Sequence, residues 1–105
     1  MERILIAGCG YVGTRLGLHL KKEGSQVYAL RRDLKKLPKE LSPCPGDLNL
    51  PSSLEALPKV DTVFYTAAAN DGSPEAYQMA YVDGVRNLLA SLKPAPGRFI
   101  YLSST

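Results

Sequence analysis

The chain has 105 residues, 45% of them hydrophobic, and a formal net charge of +3. This length fits one domain with enough apolar content for a core, and the small charge gives no reason to expect a nucleic-acid partner. We expect neither a membrane span nor a signal peptide, because there is no run of about 18 apolar residues and no charged-then-apolar leader. Cys9 and Cys44 lack metal-ligand spacing, so we expect no metal site and a reduced, cytoplasmic protein.

The N-terminal residues predict a strand, a glycine-rich turn and a helix. Residues 4–7 form a short apolar run, which is typical of a buried parallel strand. The motif Gly8-x-Gly10-x-x-Gly13 follows directly. Gly8 permits a tight turn, Gly10 lets a pyrophosphate approach the backbone, and Gly13 lets the helix lie close to the sheet. The first amides and the dipole of that helix then face the phosphates. We therefore predict a dinucleotide site at Gly8, Gly10, Tyr11, Val12 and Gly13; the alternative is a turn that only joins strand to helix.

Strand and helix patterns alternate along the rest of the chain with short connections. Such alternation predicts a parallel sheet, and right-handed crossovers leave few topologies. We therefore predict an α/β fold of the Rossmann type, a doubly wound parallel sheet of about five strands in the order 3-2-1-4-5. We expect helices over 11–23, 52–57 and 73–92, a single helical turn over 34–37, and strands over 26–30, 43–45, 61–67 and 98–102.

The helix over 73–92 has clear starting signals. Ser73 is a capping residue, Pro74 suits the first helical position, and Glu75 places an acid in the first turn. For the shorter helix, we expect Ser52 or Ser53 to be the cap. Apolar residues at helical spacing along the longer helix are expected to face the core rather than a ligand: Tyr77, Tyr81, Val85, Leu88, Leu89 and Leu92.

The end of the second strand bears on the choice of cofactor. In NAD-binding proteins of this fold, an acid about 20 residues past the glycines accepts hydrogen bonds from the ribose hydroxyls. Here Arg31 and Arg32 stand at the strand end, and two guanidinium groups suit a 2′-phosphate. We therefore expect NADP in preference to NAD. Two alternatives stay open: the arginines are solvated surface charges, and Asp33 lies close enough to act as the ribose-binding acid.

Taken together, these motifs resemble those of the short-chain dehydrogenase/reductase superfamily. The resemblance is to its extended and atypical members, the NAD-dependent epimerase/dehydratase group, and it covers all 105 residues. It rests on the glycine turn and four further segments, which are Gly-Asp-Leu at 46–48, Tyr-Thr-Ala-Ala-Ala at 65–69, Tyr-Val-Asp-Gly-Val-Arg-Asn-Leu-Leu at 81–89 and Phe-Ile-Tyr-Leu-Ser-Ser at 99–104.

The resemblance implies roles for residues beyond the glycine turn. Asp47 would bind the adenine amino group, with the Leu48 backbone beside it. Ala67 and Ala68 would lie against the ribose and pyrophosphate on the nicotinamide side. Ser104 occupies the position of the family's active-site serine, whose hydroxyl orients the substrate carbonyl or alcohol; the next residue takes this role if the alignment shifts by one.

The family's catalytic Tyr-x-x-x-Lys pair is absent from these residues. Tyr28 is followed four residues later by Arg32, and Tyr77 by Tyr81. Because that pair supplies the proton in hydride chemistry, we expect the chain to be inactive alone. By the resemblance, it corresponds to the N-terminal, cofactor-binding half of an oxidoreductase or epimerase, C-terminally truncated and lacking the substrate-binding part. The parent enzyme is expected to transfer a hydride to or from a small alcohol, ketone or nucleotide sugar.

Two other functions stay open. One is a non-catalytic NADP-binding sensor or regulatory module, and the other is an interaction domain with a vestigial site. Measurable cofactor binding would favour the sensor over the interaction domain. We also expect self-association, because an uncovered sheet edge beside the last strand and exposed apolar faces favour pairing with a second copy.

Overall fold

The computed structural model of the protein describes residues 1–67 and 72–102. Within these ranges one parallel sheet is formed, in which the third, second, first, fourth and fifth strands of the chain lie side by side in that order. The fold is α/β of the Rossmann type, and the predicted strand order is confirmed. The strands are β1 (Arg3–Ala7), β2 (Gln26–Arg31), β3 (Ser42–Pro45), β4 (Thr62–Tyr65) and β5 (Arg98–Tyr101).

The central strand is buried on both faces. In β1, the side chains of Ile4 and Ile6 pack in one apolar cluster, and those of Leu5 and Ala7 pack in another. All four are buried, because a parallel sheet is covered by helices on both sides. The first cluster lies under α1 (Tyr11–Lys22), whose leucines pack against it.

Two buried glycines let α1 lie close to the sheet. A Cβ at Gly13 would lie 2.7 Å from Thr66 Oγ1 and 2.8 Å from Ile6 Cγ2. A Cβ at Gly17 would lie 3.1 Å from the side chain of Leu41. The helix therefore approaches the sheet more closely than any larger residue at these positions would allow, and its first turn lies beside the end of β1.

The second face of the sheet is covered by α2 (Pro74–Gln78), a π turn (Met79–Asp83) and α3 (Gly84–Ser91). The predicted helix start is confirmed, since the Ser73 hydroxyl accepts a hydrogen bond from a first-turn amide at 3.1 Å. The prediction of one uninterrupted α-helix over 73–92 is wrong, because the π turn divides it.

The π turn also changes which side chains are buried. Leu88 and Leu92 are buried as predicted, but Tyr77 is 60% exposed and Leu89 is 49% exposed. The expectation that these last two residues face the core is wrong. The apolar stripe was predicted on a 3.6-residue period, and a π turn interrupts that period.

A 3-10 helix over Pro51–Leu54 replaces the helix predicted over 52–57. Leu50 occupies its cap position without a side-chain hydrogen bond, so the expectation of a serine cap is wrong. The Ser53 hydroxyl instead accepts a hydrogen bond from the Asp47 N–H at 2.9 Å and donates to the Leu50 carbonyl at 2.7 Å. Ser53 thus fastens the 3-10 helix to the segment that follows β3.

Where the strands begin, Glu2 links β4 and β5 to the start of β1. Its carboxylate accepts hydrogen bonds from the Thr62 hydroxyl at 2.5 Å and from the Arg98 guanidinium at 3.0 Å. Thr62 is the first residue of β4, and Arg98 is the first residue of β5. These hydrogen bonds, that of Thr62 foremost, hold the pKa of Glu2 below its ordinary value of 4.5.

We expect Gly13→Ala to lower the free energy of unfolding by about 1–3 kcal/mol, because the added methyl group has to displace Thr66 and Ile6. Gly10→Ala is the matched control, since a Cβ at Gly10 meets no atom within 4 Å. Urea denaturation of both variants measures the difference. A Gly13→Ala protein as stable as the wild type would contradict the close approach of α1.

We expect Glu2→Gln to make the fold less sensitive to acid. A carboxylate whose pKa is lowered on folding stabilises the fold above its ordinary pKa, and this contribution is lost as the pH falls through the lowered value. Glutamine does not titrate, so the Tm should fall less between about pH 6 and about pH 3 in the variant than in the wild type. Glu55→Gln, which changes an exposed carboxylate outside this cluster, is the control. Parallel Tm curves for Glu2→Gln and the wild type would refute the prediction.

Candidate functional site

The glycine turn after β1 is held by the end of β2. The N–H groups of Gly8 and Cys9 both donate to the Leu30 carbonyl at 3.0 Å, and the Gly10 N–H donates to the Gly8 carbonyl at 2.8 Å. Gly8 has a φ of +76°, and a Cβ there would lie 2.4 Å from the Ala67 Cβ. The turn therefore requires glycine at this position for its backbone conformation and for lack of space.

The first turn of α1 is open to a ligand. Gly10 is the cap residue, with no side-chain hydrogen bond, and no acid follows in the first turn. A Cβ at Gly10 would meet nothing within 4 Å. The N–H groups of Tyr11, Val12 and Gly13 are first-turn amides, which have no partner inside a helix. Uncapped amides together with the positive end of the helix dipole fit an anion such as a diphosphate.

A cavity of about 840 Å³ lies at the carboxyl ends of β1, β2 and β4. This volume is within the range of small-molecule sites, and the position is where parallel sheets bind ligands when strand order reverses. Seven of the predicted cofactor-binding residues line the cavity: Gly8, Gly10, Arg31, Arg32, Asp47, Leu48 and Ala67.

Three of the predicted site residues that the structure describes are not part of this cavity lining. The side chains of Tyr11 and Val12 are 78% and 61% exposed, and neither lines the cavity. Gly13 packs against the sheet. The predicted cofactor contact Ala68 and the predicted catalytic Ser104 lie outside the described residues.

The two arginines at the end of β2 have different surroundings. The Arg31 guanidinium donates to the Cys9 carbonyl at 2.9 Å, which ties it to the glycine turn. Arg32 is exposed and also lines the cavity. Asp33 lines the cavity beside them, and its Oδ1 accepts a hydrogen bond from the Lys35 N–H at 2.9 Å. Arg31, Arg32 and Asp33 therefore all lie on one wall of the cavity.

The segment after β3 forms another part of the wall. Asp47 Oδ1 accepts a hydrogen bond from the Asn49 N–H at 2.9 Å. The Leu48 carbonyl accepts one from the Asn87 side-chain amide of α3 at 2.8 Å. Asn87 therefore holds this segment in position beside the cavity.

Sequence reasoning missed the wall that comes from Tyr65 and the helices of the second face. Tyr65 ends β4 and is fully buried, and its hydroxyl donates to the Ala80 carbonyl at 2.5 Å. Burial, with smaller effects of Tyr101 and Tyr81, raises its pKa to about 12. The sequence could have indicated Tyr65 as a site residue, because it stands at the carboxyl end of a predicted central strand. The other residues of this wall are Ser73, Glu75, Ala76, Met79 and Ala80.

Two absences concern only the part of the chain that the structure describes. Over 1–67 and 72–102, no three histidine, cysteine, aspartate or glutamate residues are grouped so that they could hold a metal ion. In the same ranges, every helix is too short or too polar to cross a bilayer.

Several solved structures are similar to this chain. One, from Methylobacillus flagellatus and assigned as an NAD-dependent epimerase/dehydratase, is 32% identical with a TM-score of 0.82; the match covers 99% of this chain and 37% of that one. A UDP-galactose 4-epimerase is 22% identical with a TM-score of 0.80, over 98% and 38%. The Bordetella bronchiseptica enzyme WbmH, in complex with NAD+, is 20% identical with a TM-score of 0.67, over 87% and 34%. The last two show likeness of fold alone.

The chain thus spans between 34% and 38% of the length of these three proteins. A search of curated protein sequences found no match. The model of the NAD dependent epimerase/dehydratase family, however, matches residues 4–105, and this range includes the glycine turn and all of the described sheet except Arg3. The chain belongs to the NAD-dependent epimerase/dehydratase family.

Proposed function

We propose that this chain is the NAD(P)-binding portion of an oxidoreductase or of an epimerase/dehydratase. The observation that carries the proposal is the uncapped first turn of α1, which opens beside a cavity of about 840 Å³ and has no side chain at Gly10. Membership of the family supports it, as does the NAD+ complex of WbmH, a protein with the same fold.

In this proposal the diphosphate of the cofactor binds at the start of α1. The amides of the first turn donate to its oxygens, and no carboxylate in that turn opposes the negative charge. Gly10 lets the phosphates approach the backbone. The Arg31 guanidinium, bonded to the Cys9 carbonyl, keeps the turn in place while adding positive charge to the same wall.

The adenosine half is proposed to lie along the wall formed by the ends of β2 and β3. Arg31 and Arg32 would bind a 2′-phosphate, and this is the basis of the proposed preference for NADP. Asp33 would bind the ribose hydroxyls if the cofactor is NAD. Asp47 would accept a hydrogen bond from the adenine amino group, with the Leu48 backbone beside it.

The nicotinamide half is proposed to lie on the β4 side, against Ala67 and Ala68, where small side chains allow close approach. When bound, the nicotinamide supplies or accepts a hydride. Ser104 would orient the carbonyl or alcohol of the substrate, by its match to the family's active-site serine. The substrate class proposed for the whole protein is a small alcohol, a ketone or a nucleotide sugar. Self-association through the sheet edge at β5 stays a prediction.

We expect Gly10→Ala to weaken NADP and NAD binding roughly tenfold, equivalent to about 1.4 kcal/mol, because a methyl group would stand between the diphosphate and the first-turn amides. Stability should fall less than in Gly13→Ala, since the methyl group meets no protein atom within 4 Å and only the weaker preference for alanine at a helix cap counts against it. Gly97→Ala is the matched control at the start of β5, where a Cβ makes only an ordinary contact. Calorimetric titration measures both. Wild-type affinity in Gly10→Ala would refute the placement of the diphosphate.

We expect Arg32→Ala to weaken NADP binding roughly tenfold and NAD binding much less, because only NADP carries the phosphate that this guanidinium would bind. The effect on NADP should shrink as salt is added, since Arg32 is exposed. Lys36→Ala removes a nearby positive charge that does not line the cavity, and is the control. If Arg32→Ala weakens both cofactors equally, or if the wild type binds NAD at least as tightly as NADP, the preference for NADP is wrong.

A further inference from the structure

The helical segment over the second face changes from α to π geometry where it passes the end of β4. The Gly84 N–H donates to the Met79 carbonyl, five residues back. In an α-helix it would donate four residues back, to the Ala80 carbonyl. The π turn therefore moves the Gly84 amide away from the Ala80 carbonyl.

A tyrosine hydroxyl donates to that same carbonyl. Tyr65 Oη lies 2.5 Å from the Ala80 oxygen. The Tyr65 ring is fully buried and stacks on Tyr101 at a centroid distance of 5.6 Å and an interplanar angle of 7°. Because burial raises the pKa of Tyr65 to about 12, the hydroxyl keeps its proton near neutral pH. The Ala80 carbonyl thus has a permanent donor from the sheet.

The residue at position 84 has to be small for this contact to form. A Cβ at Gly84 would lie 2.4 Å from Tyr65 Oη and 3.1 Å from the Met79 carbonyl oxygen. The phenol oxygen therefore fills the space that a side chain at this position would need. Tyr65, Ala80 and Gly84 form one interlocking contact between β4 and the π turn.

This contact lies at the cavity. Tyr65, Met79 and Ala80 all line it, and Tyr65 pairs in the sheet with Ala7, which directly precedes the glycine turn. A π turn carries an extra residue relative to an α turn, and such turns are frequent at functional sites. Here the extra residue falls where the helix contributes Met79 and Ala80 to the cavity wall.

We propose that the Tyr65 hydroxyl is a positioning group for the dinucleotide site: by holding the π turn through the Ala80 carbonyl, it keeps Met79 and Ala80 in the cavity wall and so sets the affinity of that wall for the cofactor. This inference rests on the proposed function. Tyr65 is not proposed to transfer a proton. It acts through the helix that it holds.

Tyr65→Phe tests the inference because it removes the hydroxyl and keeps the ring that stacks on Tyr101. We expect the dissociation constant for NADP or NAD to rise roughly three- to tenfold, the range that corresponds to one net hydrogen bond. Amide hydrogen exchange, followed by NMR at residues 83–85, should become roughly threefold faster as the turn loses its support. Tyr77→Phe removes an exposed hydroxyl from the same helical segment and should change neither quantity.

A double-mutant cycle with Gly84→Ala separates positioning from a general loss of packing. In the wild-type background the added Cβ would displace the hydroxyl, so we expect a loss of affinity similar to that of Tyr65→Phe. In the Tyr65→Phe background the oxygen is gone, and Gly84→Ala should cost little more. This variant also favours helix by about 0.5–1 kcal/mol, which helps to keep the protein folded. Equal effects of Gly84→Ala in both backgrounds would overturn the proposal.

The inference and the proposed function fail in different measurements. A wild-type protein that binds neither NAD nor NADP would overturn the proposed function. Unchanged hydrogen exchange in Tyr65→Phe would overturn the role of Tyr65 in holding the π turn. The third case is a wild type that binds the cofactor and a Tyr65→Phe variant with faster exchange but unchanged affinity. The contact would then support the helix without setting affinity, and this result also overturns the proposal.

Discussion

A Cβ at Gly8 would lie 2.4 Å from the Ala67 Cβ, and one at Gly13 would lie 2.7 Å from Thr66 Oγ1. The end of β1, the start of α1 and the segment after β4 therefore meet at a distance that leaves no room for a side chain at Gly8 or Gly13. This contact draws the open first turn of α1 to the edge of the sheet, where strand order reverses. The position of the cavity follows from it. A larger residue at either glycine would push the helix start outward and separate its amides from the adjoining walls.

The amides of the glycine turn and those at the start of α1 differ in whether a ligand can reach them. The amides of Gly8 and Cys9 are committed to the Leu30 carbonyl, so they are not available to a ligand. The amides at the start of α1 have neither a side-chain cap nor an acid nearby. Arg31 and Arg32 add positive charge on the adjoining wall, next to the carboxylate of Asp33. The open amides at the start of α1 fit an anionic group better than a neutral one.

Patterns that act over a few residues predicted most of the fold. The glycine turn, the Ser73 start and the buried strands follow from local chemistry, so strand order and the helix start are as expected from the sequence. Contacts between residues that are far apart in the chain could not be predicted from such local patterns. The π turn depends on Tyr65 meeting Ala80 and Gly84, which are adjacent to it only in the folded chain. The wall that it forms was therefore missed, although the Arg31 and Asp47 walls were anticipated.

Arg31 makes hydrogen bonds to two neighbouring segments, the glycine turn and the segment after β3. Its guanidinium holds the Cys9 carbonyl of the glycine turn, and its own carbonyl accepts the Gly46 N–H at 3.3 Å. Replacing its side chain would consequently remove the hydrogen bond to the glycine turn and the positive charge on the cavity wall, while the backbone hydrogen bond to Gly46 would remain. Attempts to engineer cofactor choice in this protein should therefore leave Arg31 untouched and vary Arg32 and Asp33, whose described contacts do not hold the glycine turn.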